Sequence, residues 1–275
     1  MTAVSRHSCG ELSYLACDNG GAMPIVLLHG IGSNARSFEP LMHALQGRSG
    51  ALAWDAPGYG QSQPLTNAWP DASDYAEALR SLLDDLEVAR CVLLGHSLGA
   101  LIAARFALEA RDRVAALVLA SPALGHGVTK GAALPAPVAA RLEELDRLGP
   151  EKFAAARSPG LLADAAARPD VLVSVMRAMA AVRRPGYDQA ARLLAGGRLI
   201  DDAARLTVPT AVIVGVQDCI TPPENVRRAF TALPQSSRHC YREIDNAGHA
   251  VCQEQPAEIA RLVAELVEHE ANAHA

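Results

Sequence analysis

Short apolar runs that alternate with longer segments of helical period constrain this chain most. Residues 25–28, 51–54, 91–94, 115–120 and 210–214 are almost wholly apolar and end at turn residues. Runs of that length, apolar without alternation, read as strands buried on both faces, the pattern of a mostly parallel sheet covered by helices. Residues 240–244 are expected to form a later strand, and 12–16 a weaker early one. Between strands, 75–86 sets Ala76, Leu79, Leu82, Leu83 and Leu86 on one helical face, with Asp71 and Ser73 available as caps. A final helix is predicted over 256–269.

With 275 residues, half of them hydrophobic, the chain has material for a sizeable core. A formal charge of −5 leaves no basic excess to neutralise phosphates, which argues against a nucleic-acid partner and for small-molecule chemistry. The N-terminus lacks the basic start and apolar run of a secretory signal, and no stretch approaches a membrane span. A soluble, cytoplasmic protein without membrane partners is expected; a homo-oligomer is left open. The six cysteines form no C-x-x-C pair, so neither a zinc site nor a disulfide framework is suggested.

From 126 to 200 the rhythm changes. Three or four helical stretches rich in Ala, Leu and Arg follow one another without a strand signal, punctuated at Pro135, Pro137, Gly149, Pro150, Pro159, Pro169, Pro185 and Gly196. The expectation is a core of residues 1–125 and 201–275 with a helical cap, 126–200, inserted between two core strands.

Gly95-His96-Ser97-Leu98-Gly99 directly follows the apolar run 91–94 and directly precedes a helical segment. A strand turning sharply into a helix needs small residues two before and two after the turn, where side chains would collide, and it leaves the serine hydroxyl exposed above the sheet. A serine hydroxyl is a poor nucleophile at neutral pH, so it needs a base held in one tautomer by an acceptor. Asp218 follows the strand 210–214, at the C-terminal end of the strand, where open α/β sheets place functional groups. His249 lies in the glycine-containing loop between the next strand and the last helix. The chain order Ser97, Asp218, His249 is one of the three known triad orders. Asp245 is a rival acid, but it lies only four residues before His249 on the same loop. His126, His239 and His269 have no comparable context and read as structural.

Leu27-Leu28-His29-Gly30-Ile31-Gly32 is a strand ending in a glycine-rich turn. There the backbone N–H of Ile31 can converge with that of Leu98, at the start of the nucleophile helix, to form an oxyanion hole. One such donor is worth about 3 kcal/mol in the transition state. No G-x-G-x-x-G or G-K-[ST] follows, so a nucleotide cradle is rejected.

Together these elements, with Asp55-Ala56-Pro57-Gly58-Tyr59-Gly60-Gln61-Ser62, resemble the α/β-hydrolase family from about Leu12 to His269. The resemblance implies an eight-stranded, mostly parallel sheet, a helical lid, and no metal or organic cofactor. Ser97 separates the chain from haloalkane dehalogenases and epoxide hydrolases, which use Asp at that place. Within the family the chain is similar to small bacterial carboxylesterases, enol-lactonases and meta-cleavage C–C hydrolases. The last carry G-N-S-x-G-G at the elbow and a tryptophan after the histidine, and His96 and Ala250 depart from both.

A small ester or lactone is therefore the expected substrate, cleaved through an acyl-enzyme on Ser97. C–C bond hydrolysis is the alternative, and a non-catalytic ligand-binding relative the alternative of another class. Between 126 and 200 eleven Lys and Arg stand against seven Asp and Glu, which suits a carboxylate-bearing substrate. Arg183 and Arg184 are the candidate counter-charges, in the way that meta-cleavage hydrolases use a cap arginine. The rival account has them solvating helix surfaces.

Overall fold

A computed structural model describes residues 3–17 and 23–273; residues 1–2, 18–22 and 274–275, which the expected core boundaries include, lie outside the described residues. The chain opens with an antiparallel pair, β1 (Ser5–Cys9) and β2 (Leu12–Cys17), followed by β3 (Ile25–Leu28), a short α1 (Glu39–Ala44), β4 (Ala51–Trp54) and α2 (Ala72–Asp85). Next come β5 (Cys91–His96), α3 (Leu98–Glu109) and β6 (Val114–Ala120). All eight strands form one sheet in the order β1-β2-β4-β3-β5-β6-β7-β8, with β7 (Thr210–Gly215) and β8 (Arg238–Ile244) completing it. Only the pairs made by β2 are antiparallel; β3 to β8 run parallel.

The two faces of the sheet use alternate residues of the same strands. Val26, Leu28, Leu93, Leu117, Leu119, Val212 and Val214 pack against α2, α3 and α8 (Pro223–Ala232). Ile25, Leu27, Val92, Leu94, Val118 and Ile213 pack against α1 and α10 (Pro256–Ala273), which α9 (Val251–Glu254) precedes. Burial on both sides explains why these strands read as continuous apolar runs. The edge strands differ: β1 and β8 are largely exposed and carry Arg6, Arg238, Arg242 and Glu243, charges that discourage pairing with another chain. This is why 5–9 gave no strand signal.

Between β6 and β7 lie α4 (Ala136–Arg157), α5 (Pro169–Ala180), α6 (Gly186–Gly196) and α7 (Leu199–Ala203). Proline and glycine end these helices where the sequence placed breaks: α4 bends at Gly149-Pro150, α5 begins at Pro169 and α6 at Gly186. The helical run passes residue 200, because Leu199 and Ala203 are fully buried in the core. No helix among the described residues is long and apolar enough to cross a membrane.

Candidate active site

β5 ends at His96 and α3 begins at Leu98, so Ser97 alone makes the turn, with φ 53° and ψ −114°. That left-handed conformation costs a serine strain, which the packing around it must overcome. The flanking glycines are required by contact: a Cβ on Gly95 would stand 2.4 Å from the Gly99 carbonyl oxygen, and one on Gly99 would stand 2.2 Å from that of Leu28.

Asp218 follows β7 by three residues and His249 lies between β8 and α9. The structure joins them to Ser97 in one hydrogen-bonded chain. His249 Nε2 is 2.9 Å from Ser97 Oγ, and His249 Nδ1 is 3.0 and 3.2 Å from the two Asp218 oxygens. An ionised Asp218 accepts from Nδ1–H, which leaves the Nε2 lone pair facing the serine hydroxyl. The carboxylate also accepts the backbone N–H groups of Ile220 and Thr221, each at 2.9 Å, and the Thr221 hydroxyl at 2.8 Å. Burial alone would raise its pKa, but His249 and these donors outweigh burial and hold it at about 2. Asp245, the rival acid, is exposed.

Two further histidines belong to the site's framework. His96 donates from Nε2 to the backbone carbonyl of His249 at 2.7 Å, tying the histidine loop to the end of β5. Burial first, and then the charge of His249, push its pKa down to about 3, so it serves as a neutral donor. His29 donates from Nδ1 to the Gly30 carbonyl at 2.9 Å and accepts the Ala56 N–H at Nε2, 3.0 Å away. Burial lowers its pKa against the opposing pull of the Gly30 contact and Asp55. It braces the turn that carries Ile31. Each histidine sits beside a motif residue, but the contacts of His29 with Ala56 and of His96 with His249 reach distant backbone atoms that spacing does not reveal.

Ile31 lies within this turn, which the Ser33 N–H closes onto the Gly30 carbonyl, and Leu98 is the first residue of α3. Among the described residues, neither backbone N–H donates to a protein acceptor. Both amides are therefore available to a ligand, and the positive end of α3 adds to the field beside Ser97.

Ile31, His96, Ser97 and His249 line a cavity of about 650 Å³ whose opposite wall comes from the inserted helices, including Val138, Arg141, Arg157, Met179 and Leu194. Arg183 and Arg184, the expected counter-charges, are not on that wall, and this corrects their candidacy. Arg184 is held by Asp146 at 2.7 Å and Asp188 at 3.1 Å, and Arg183 reaches the Ser62 carbonyl at 3.4 Å. The cavity's guanidiniums are instead Arg141, Arg157 and Arg228. Arg157 is paired with Glu144 at 2.7 Å. Arg141 donates to the Tyr187 hydroxyl at 3.2 Å and forms no ion pair among the described residues. Its position was readable: Val138 and Leu145, three before and four after it, are buried on the same face of α4. His126, expected to be structural, also lines the cavity.

Residues 22–256 match the Hydrolase_4 family, described as serine aminopeptidase, S33. The chain belongs to this family. It is an α/β hydrolase, and its fold and its relatives are those of hydrolases. A 2-hydroxy-6-oxononadienedioate/2-hydroxy-6-oxononatrienedioate hydrolase of Cupriavidus pinatubonensis is 29% identical over 277 residues, covering 90% of this chain and 87% of that one. A thermophilic esterase from Thermogutta terrifontis superposes with a TM-score of 0.82 at 24% identity, covering 98% of this chain and 99% of that one. The enol-lactonase of Burkholderia xenovorans LB400 gives the same TM-score at 21% identity, covering 96% and 100%. At such identities the two structures speak for the fold.

Proposed function

We propose that this α/β hydrolase cleaves a small ester or lactone bearing a carboxylate, through an acyl-enzyme on Ser97. The observation that carries the reading is the unbroken hydrogen-bonded chain from Ser97 Oγ through His249 to Asp218, opening on a cavity beside two unengaged amides.

Ser97 Oγ attacks the acyl carbon as His249 Nε2 takes the hydroxyl proton, and ionised Asp218 stabilises the imidazolium that forms. The negative charge on the carbonyl oxygen is met by the N–H groups of Ile31 and Leu98. His249 passes its proton to the leaving oxygen, and the C–O bond to the alcohol breaks. For a lactone, that alcohol stays tethered to the acyl group. Water, deprotonated by the same imidazole, then releases the acid and restores Ser97. Asp218, with a pKa of about 2, stays ionised throughout the neutral range, so the imidazole keeps its tautomer.

Arg141 is the residue we assign to the substrate carboxylate, since it lines the cavity from the insertion and forms no ion pair among the described residues. Arg141→Gln is expected to raise KM for a carboxylate-bearing ester by about 10- to 100-fold, the worth of a charge-assisted hydrogen bond. KM for a neutral ester of the same size should change less than about threefold. Equal losses on both esters would remove the carboxylate from the reading.

A second reading, C–C bond hydrolysis of a vinylogous diketone, is favoured by the relative named as a dienedioate hydrolase. Turnover of ester, lactone and vinylogous diketone panels, with product analysis and a Ser97→Ala control, tests the proposal. Ester or lactone turnover lost in the control supports it. Turnover confined to the diketones moves the assignment to the second reading. No turnover on any panel, with no labelling by a fluorophosphonate probe, favours a binding protein.

A further inference from the structure

The backbone on either side of His249 is fastened to the helical insertion, on one side through a buried carboxylate. Glu254, in α9, is 2% exposed. Its Oε2 accepts the backbone N–H of Gly248 at 2.7 Å, and its Oε1 accepts the backbone N–H of Ala163 at 2.9 Å. The carboxylate thus bridges the residue before His249 to the segment between α4 and α5. The residue after His249 is tied to the same segment, because the Ala250 N–H donates to the Leu161 carbonyl at 2.9 Å. A third strap lies outside these two. Arg168 donates to the Glu254 carbonyl, and also to that of Asn246 at 3.3 Å, joining the end of the insertion's loop to the histidine loop.

We propose that Glu254 is a positioning residue that couples residues 161–168 of the insertion to the imidazole of His249, so that this part of the insertion sets the Ser97–His249 distance. The inference rests on the reading of His249 as the base. A carboxylate suits the task because both facing groups are N–H donors and an ionised Asp or Glu offers acceptors only. An amide in its place would turn an NH₂ toward one of those donors, whichever way it flipped. Among the described residues these two N–H groups are the partners of its two oxygens. Glu254 does not face the cavity, so it has no direct part in binding substrate.

The consequence concerns motion. Between β6 and β7 the insertion is held at 161–168 by the histidine loop, so it does not swing away there without moving His249.

The test is Glu254→Gln, read by the rate and the endpoint of Ser97 labelling with a fluorophosphonate probe. A displacement of about 1 Å at a catalytic group can cost a factor of about 100, so the labelling rate constant is expected to fall by about 10- to 100-fold. The endpoint should still reach one label per chain, because every site remains intact but misaligned. Loss of folded protein gives the opposite signature, a reduced endpoint reached at the wild-type rate, and that result overturns the proposal, as does a wild-type rate with a full endpoint. Should Glu254→Gln fail to accumulate as folded protein, Arg168→Met removes an outer strap while leaving the buried carboxylate. It is expected to slow labelling by about 3- to 10-fold at full endpoint, and a wild-type rate would overturn the coupling. His249→Ala is run alongside. If it labels as fast as the wild type, the reading of His249 fails first. If it is inert while the strap variants match the wild type, only the coupling fails.

Discussion

At the scale of the residue, the candidate acids differ by environment and not by chemistry. Asp218 is buried, ionised down to about pH 2 and in contact with both His249 and two backbone donors, whereas Asp245 is exposed. Asp218→Asn is expected to lower kcat by about 10⁴, because the imidazole loses the acceptor that fixes its tautomer. Asp245→Asn should stay within about threefold of wild type, since it removes a solvated charge. Steady-state kinetics on one activated ester ranks the two, and the reverse order would move the acid. The three side chains that meet here were nameable from sequence because each hangs on a local signal: an elbow spacing, the end of a strand, a loop before a helix. Arg183 and Arg184 were not placeable, because a surplus of positive charge has magnitude but no direction. Only the buried spacing of Val138 and Leu145 around Arg141 carries the direction, and His29 and His96 act through backbone atoms that no local pattern points to.

At the scale of the element, boundaries followed from capping and turn chemistry. α2 begins just after Asp71 because the Asp71 carboxylate accepts the N–H groups of Ser73 and Asp74 at 2.8 and 3.2 Å, while Asp74 reaches back to the Asp71 N–H at 2.8 Å. Asp71→Ala is therefore expected to destabilise the fold by about 1 kcal/mol, measured by urea denaturation, with kcat unchanged. No loss would mean that packing of Tyr75, Leu79, Leu82 and Leu83 alone fixes the start of the helix. The interior strands were legible because both of their faces are covered. β1 was not, since a polar edge strand has no apolar run and draws its pairing from β2. The helices of the insertion were legible as segments, but apart from the spacing around Arg141 their packing into the cavity wall depends on distant residues.

At the scale of the whole molecule, the buried site makes stability depend on pH. His96 has its ordinary value of 6.5 lowered to about 3 in the folded chain. The unfolded chain takes up a proton below pH 6.5 and the folded chain does not until about pH 3, so this contribution is complete above 6.5 and drains as the pH falls. Asp218, lowered from 3.8 to about 2, acts with the same sign in a lower window, its contribution complete above about pH 4 and lost as the pH falls through 2. Unfolding free energy should thus decline from pH 6.5 towards 4, with a slope of about 1.4 kcal/mol per pH unit for one proton. His96→Gln is expected to be less stable at pH 7 yet flatter between pH 6.5 and 4, and parallel slopes would show that another group dominates.

All of the chemistry assigned here passes through the hydroxyl of Ser97. The direct measurement is the turnover of p-nitrophenyl acetate by Ser97→Ala, with the fold checked by circular dichroism. A loss of at least about 10³-fold with an intact fold is expected. Activity within about tenfold of wild type would contradict the assignment of the nucleophile and the mechanism built on it.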